Sequence, residues 1–294
     1  MITFLLLTFC ACAPKDPKEV LARVDERIYY PQNDGLTGLF CQVDSPYIRE
    51  MFDRIKQEYP ASKEFLDQLE VEVRFYWKKG AGARFVIKGL PKEPPALRES
   101  VWHIFKGTDI LVIPPTEQEQ FEGLLVSLKK TKGKLELLGI NPDPKSDLRQ
   151  YDLVLAPRKW LPVLRRFYGN GYVSFSRLEY QIWRGKRSLV KIDTFKDTDA
   201  DTDFQTQVEL EYQEIKGFRL VKRIFYQTGM AKTGNIFVGP IELIFEDCIT
   251  NPPMPIDVFA TGEEVSFTDP EVSPAPGSTI PREKAQTLPS EKPR

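Results

Sequence analysis

Histidine occurs once in this 294-residue chain, at His103. A lone imidazole excludes a histidine-rich metal site and argues against His-dependent acid–base chemistry. Cysteine occurs four times, at 10, 12, 41 and 248, with no CxxC pair, and no Walker loop, GxSxG or HExxH string is present. Gly80 and Gly82 spell a GxG, but they fall in a loop between two strand candidates. A dinucleotide fingerprint needs a strand, a glycine turn and then a helix. Charge of one sign is missing too. The 41 Lys and Arg oppose 42 Asp and Glu, so no strong field points to nucleic acid or an anionic surface. Internal repeats are not evident.

The apolar run of residues 2–11 is broken only by Thr3 and Thr8. It is too short to span a bilayer, which takes about 20 residues, but it suits the apolar core of a secretory signal. The stretch FCACAP follows, and the character then turns polar at APKDPKE. A CxC metal site would need further thiolate or imidazole ligands nearby, and the sequence supplies none. The stretch resembles a bacterial lipoprotein signal, in which a small residue (Ala11) precedes a cysteine that is cut free and lipidated. That resemblance implies a signal peptide over 1–11, a lipid anchor at Cys12 and a linker over 12–17. Ala13 is not the Asp that implies inner-membrane retention, so the expected place is the outer membrane, facing the periplasm. Cys41 and Cys248 remain in the mature chain. In an oxidising compartment they form a disulfide or stay as two buried thiols, and the sequence leaves both open.

Residues 17–30 predict a helix, with Val20, Leu21, Val24 and Ile28 at helical spacing. A strand is expected over 36–43 and a second amphipathic helix over 47–59, ended by Pro60. From Leu69 the period becomes two. LEVEVRFYW alternates apolar and polar residues, KKGAGA turns, and RFVIKGL returns. Further strands are expected at 101–106, 109–113, 122–129, 134–140, 150–156, 172–184, 187–196, 204–215, 218–228 and 239–249, with turn residues between them. Residues 157–166 suggest a short helix, weakened by Pro162. Residues 252–294 hold nine prolines and little periodicity, the composition of a disordered tail. The fold class predicted is mainly β with a few helices: a long antiparallel meander forming an incomplete barrel covered by N-terminal helices.

DTDADTD at 197–203 resembles a calcium loop in its first three Asp positions. Thr202 stands where glycine is needed and Val208 where the bidentate Glu is needed, so a solvated hairpin tip is the better reading. His103, alternating with Trp102 and Ile104, has no second histidine or nucleophile for company. No carboxylate pair stands out, so no enzyme activity, metal or cofactor is expected. The dominant pattern is apolar side chains aimed at one face: Phe75, Trp77, Phe85, Trp102, Ile104, Tyr180, Ile182, Val208, Leu210 and Tyr212, with Ile87, Leu153 and Leu155 beside them. Two helices are few to cover ten or more strands, which favours an apolar cleft on that face over a solid core.

Two segments carry a family likeness: LEVEVRFYWKKGAGARFVIKGLP at 69–91 and VELEYQEIKGFRLVKRIFYQ at 208–227. With the order of elements over 18–251, they resemble the outer-membrane lipoprotein carrier and sorting (LolA-like) family. The resemblance implies an incomplete barrel whose apolar cleft binds a lipid or an acylated lipoprotein, without catalysis. A soluble shuttle carries no anchor, so Cys12 implies a membrane-bound relative. The other expectation is a structural or interaction lipoprotein that holds an envelope protein partner by its sheet edge or Pro-rich tail.

Overall fold

The structure, a computed structural model, describes residues 16–131, 133–157, 159–198, 204–230, 235–260 and 264–268. Cys10 and Cys12 lie outside them, as does most of DTDADTD. Helix α1 (Pro17–Arg27) starts where the Asp16 carboxylate accepts from Lys18 N at 2.9 Å, with proline at its first position. Its buried face is Val20, Leu21 and Val24. Strand β1 (Gly38–Asp44) leads to α2 (Pro46–Glu58), which buries Ile48 and Phe52, and to the short α3 (Lys63–Asp67). The hairpin of β2 (Glu72–Lys78) and β3 (Gly82–Lys88) follows, then α4 (Pro95–Phe105), α5 (Asp109–Val112) and α6 (Glu117–Gln120). A meander completes most of the chain: β4 (Leu125–Thr131), β5 (Lys134–Ile140), β6 (Leu148–Leu155), β7 (Pro162–Gly169), β8 (Tyr172–Trp183), β9 (Lys186–Thr198), β10 (Phe204–Ile215), β11 (Phe218–Met230) and β12 (Ile236–Thr250). The last strand described is β13 (Val265–Thr268).

The 13 described strands form one sheet in the order β13-β3-β2-β1-β12-β11-β10-β9-β8-β7-β6-β5-β4. Neighbours are antiparallel except β13, which runs parallel to β3 with Val265 opposite Phe85. The turns explain the meander. Lys216 and Gly217 between β10 and β11 have φ of 47° and 85°, as do Arg184 and Gly185 (46° and 82°) between β8 and β9. Two consecutive positive φ values match the twist of a two-residue hairpin. The sheet does not close, since β4 and β13 are its two edges. An incomplete barrel, mainly β, is therefore the architecture.

Several expected strands differ. Residues 101–106 and 109–113 are helical, in α4 and α5. Only Trp102, His103 and Ile104 alternate in VWHIFK, whereas Leu97, Val101, Ile104 and Phe105 are buried together at helical spacing, and Pro95 opens the helix. Trp102 and Ile104 accordingly sit on a helix and not on the sheet. The strand expected at 122–129 starts at Leu125, after α6 and a turn. Residues 162–169 form β7 where a weak helix was expected; Pro162 is its first residue, a place in a strand that tolerates proline. Sheet structure also extends past residue 252, because β13 falls inside the segment read as tail.

Cys41 and Cys248 are bonded, with S–S 2.06 Å, and join β1 to β12. The register of this pair slips between Phe40 and Gln42, and Asp247 takes φ 46°. That bulge puts two residues of β12 opposite Cys41. The link closes a loop of sequence separation 207, for which chain entropy alone gives on the order of 5 kcal/mol. Engineered removal usually realises less than this. We expect the Cys41→Ser, Cys248→Ser double variant to lose about 2–4 kcal/mol in denaturant unfolding. Peptide mapping of the unreduced wild type should find both thiols blocked to maleimide.

Candidate functional site

The concave face carries two apolar clusters. The larger joins β1–β3, β10–β12, α2, α4 and α5, and the smaller joins α1, Phe121 and inward residues of β5 and β6. The expected cleft residues lie mostly in the larger one. Phe75 stands opposite Phe85 across the β2–β3 pair with ring centroids 5.1 Å apart, and Phe85 meets Phe105 of α4 at 5.0 Å. Trp77, Ile104, Val208 and Leu210 are buried, and Tyr212 and Trp102 are half-buried against the same cluster. Tyr226 Oη donates to the Ile104 carbonyl at 2.6 Å and pins α4 to β11. These side chains fill the concave face. Residues 95–121, read partly as strand, provide the helical cover that two helices alone could not. Ile182 is 62% exposed and contributes nothing to this face. His103 lies on the outer side of α4, with its side chain 63% exposed.

Between the two clusters runs a polar seam that sequence reasoning missed. Glu117, 0% exposed at the start of α6, accepts from Arg165 Nη2 at 2.5 Å and lies 3.0 Å from Tyr151 Oη. Its own backbone N–H donates to Asp25 Oδ1 of α1 at 2.8 Å. Burial alone pulls the Arg165 guanidinium down, and the Glu117 carboxylate together with the Tyr151 and Tyr180 side chains more than reverses this. Burial pushes the Asp25 carboxyl above the usual range. The visible signal was the capping box, Thr116 and Glu119 in TEQE after two prolines, which marks a helix start at 117.

Two grooves open at the rim. One of about 580 Å³ lies between α1, α6 and the start of β4. Leu21, Phe121, Leu124 and Val126 give it apolar walls, with Lys18, Gln118, Glu119 and Glu122 around them. Gly139 of β5 lets the walls approach, since a Cβ there would come within 2.8 Å of Leu124 and 2.9 Å of Phe121. The other, about 290 Å³, lies between the β2–β3 turn and α5, with Trp77, Lys79, Asp109 and Ile113 in its lining. Among the described residues no group of three or more His, Cys, Asp or Glu comes together to hold a metal. No helix among them is long and apolar enough to cross a membrane.

Solved structures similar to this chain include the following two. One is a lipoprotein-sorting protein domain of the outer membrane from Vibrio parahaemolyticus, at 11% identity and TM-score 0.34, covering 83% of this chain and 96% of that one. The other is a LolA superfamily protein from Nitrosomonas europaea, at 13% identity and TM-score 0.29, covering 82% and 96%. No protein-family model matches the chain, and no curated protein does either.

Asp109 in the smaller groove carries a testable charge effect. Its Oδ1 is buried without a partner, and burial, then the Glu264 carboxylate, pushes the carboxyl above the usual aspartate range. An acid whose folded value is raised holds its proton better folded than unfolded. Its ionisation therefore destabilises the fold, starting above the ordinary aspartate value and complete above the raised one. Asp109→Asn should leave stability unchanged near pH 3 and raise it increasingly toward neutrality, as read from denaturant midpoints across pH. A pH-independent difference would contradict this.

Proposed function

We propose that this chain is a membrane-anchored envelope lipoprotein that binds a lipid acyl chain, or the acyl group of a lipidated partner, without catalysis. The anchor is Cys12, and the membrane is the outer one, faced from the periplasm. The observation that carries the binding site is the groove of about 580 Å³ with walls of Leu21, Phe121, Leu124 and Val126. Its volume falls in the range of ligand pockets, about 300–1,000 Å³, whereas the concave face is occupied by the protein's own rings. Lys18 at the edge of the groove adds a cation suited to an anionic head group. In sequence, Lys18 follows Cys12 by six residues, so the groove belongs to the membrane-proximal end of the chain.

A second reading rests on the free edge of β4, where Leu125 is 65% exposed. An uncovered edge accepts a strand from another protein. The two readings separate in one experiment on the full-length protein. Native mass spectrometry should find co-purified lipid, and a fluorescent fatty acid should bind. Leu124→Asp should weaken that probe by about tenfold or more, as expected for placing a charge in an apolar wall. If no lipid is retained, the probe does not bind and a photo-crosslinker at Leu125 captures a protein, the edge reading replaces the acyl one.

A further inference from the structure

The polar seam ends in a small cavity that the acyl groove does not share. Its lining includes Tyr30, Arg165, Tyr180, Ser188, Tyr212 and Arg219. Five of these carry a buried polar atom with no partner in the protein: Tyr30 Oη, Arg165 Nε, Tyr180 Oη, Ser188 Oγ and Arg219 Nε. Tyr30 is 1% exposed and Ser188 2%, so both lie away from bulk water. Unpaired buried polar groups are rare singly, and five in the lining of one cavity point to an occupant.

The donors define its chemistry. Both Nε–H groups only donate, and the three hydroxyls can each turn to donate as well. Burial pushes the Tyr30 and Tyr180 hydroxyls up, which keeps them protonated donors. Two guanidiniums line the cavity and no carboxylate does. Arg165 is balanced from behind by Glu117, with Asp25 beyond, whose oxygens accept from the backbone N–H groups of Glu117 and Gln118. Arg219 is not balanced: its Nη2 donates to the neutral Gln181 Oε1 at 2.7 Å, its guanidinium lies 4.7 Å from the Tyr212 ring centroid, and among the described residues no carboxylate pairs with it. The occupant should therefore accept several hydrogen bonds and carry negative charge. The volume is about 20 Å³, more than the roughly 10–15 Å³ that one water needs and too small for phosphate or sulfate.

We infer that this cavity, walled by Tyr30, Arg165, Tyr180, Ser188 and Arg219, is a buried site for a single halide ion, chloride in the cell envelope. The ion joins β7, β8, β9 and β11 to the segment after α1, and so bridges the two apolar clusters where Tyr180 packs against both. No residue of the site lines the acyl groove, so this inference stands whether or not the chain binds lipid.

The test uses the full chain at constant ionic strength, with chloride exchanged stepwise for gluconate. An ion bound only by the folded state raises the unfolding temperature along a saturating curve. Arg219→Gln should abolish that rise. Lys222→Gln, an exposed position on the same strand and outside the lining, should retain it. Crystals of the wild type grown in bromide should show an anomalous peak in the cavity, which keeps the test sound if Arg219→Gln fails to fold. Equal unfolding temperatures in the two salts, a rise that survives Arg219→Gln, or ordered water without an anomalous peak would overturn the assignment.

Discussion

A sheet that bends without closing has to cover its inner face, and that requirement governs this molecule. Closure would satisfy the edges and bury the interior in one step. Here the edges are β4 and β13, so the rings of Phe75, Phe85 and Phe245 depend on other elements to exclude water. Each such side chain gains about 1.5–3 kcal/mol from burial. The cover comes from a continuous stretch between β3 and β4, held by few but directed contacts. Phe105 reaches Phe85, Tyr226 holds the Ile104 carbonyl, and Gln32 Nε2 donates to the Pro114 carbonyl at 2.8 Å. Which surfaces remain open to a ligand follows from where this cover stops.

The cover also explains what the sequence made legible. Most strands between residues 134 and 250 face water on one side and the core on the other, so alternation marks them; β7, whose burial does not alternate, is the exception. The bonded Cys41 and Cys248 could be named as a pair but not chosen over free thiols, since the bulge at Asp247 that sets β12 against Cys41 leaves no local signature. The stretch 101–113 was misleading because the short alternation of Trp102, His103 and Ile104 also fits a helix, whose buried face starts at Leu97, before that stretch, and takes in Phe105. The four residues of β13 are paired across more than 170 positions, beyond any local pattern. The inward-facing residues were largely recognised. Whether that face was filled or hollow was not, because the answer depended on the same misread segment. Ile182 shows the remaining limit: it keeps the inward parity of Leu178 and Tyr180, but after the irregularity at Glu179 it lies near the end of its strand, beyond the cover.

Two apolar clusters with charge between them are an unusual way to line one sheet. Glu117, Arg165, Asp25 and Tyr151 bring α1, α6, β6 and β7 to a common point. A buried pair of this kind adds little net stability over an apolar equivalent, but its loss is costly because one charge is left alone. Here the pair ties α6 to α1 and β7. That placement sets Phe121 against β5, opens the groove beside β4 and leaves the concave face to the rings.

The bond between Cys41 and Cys248 also has a mechanical meaning. It spans sequence separation 207 and encloses every strand from β2 to β11 within one covalent ring. A pull between the two ends of the chain enters at β1, crosses the sulfur atoms and leaves from β12. The meander inside the ring carries none of that load. A protein tethered at one end and gripped at the other would keep its barrel intact, and a cut in any loop of the ring would leave the pieces linked until the bond is reduced.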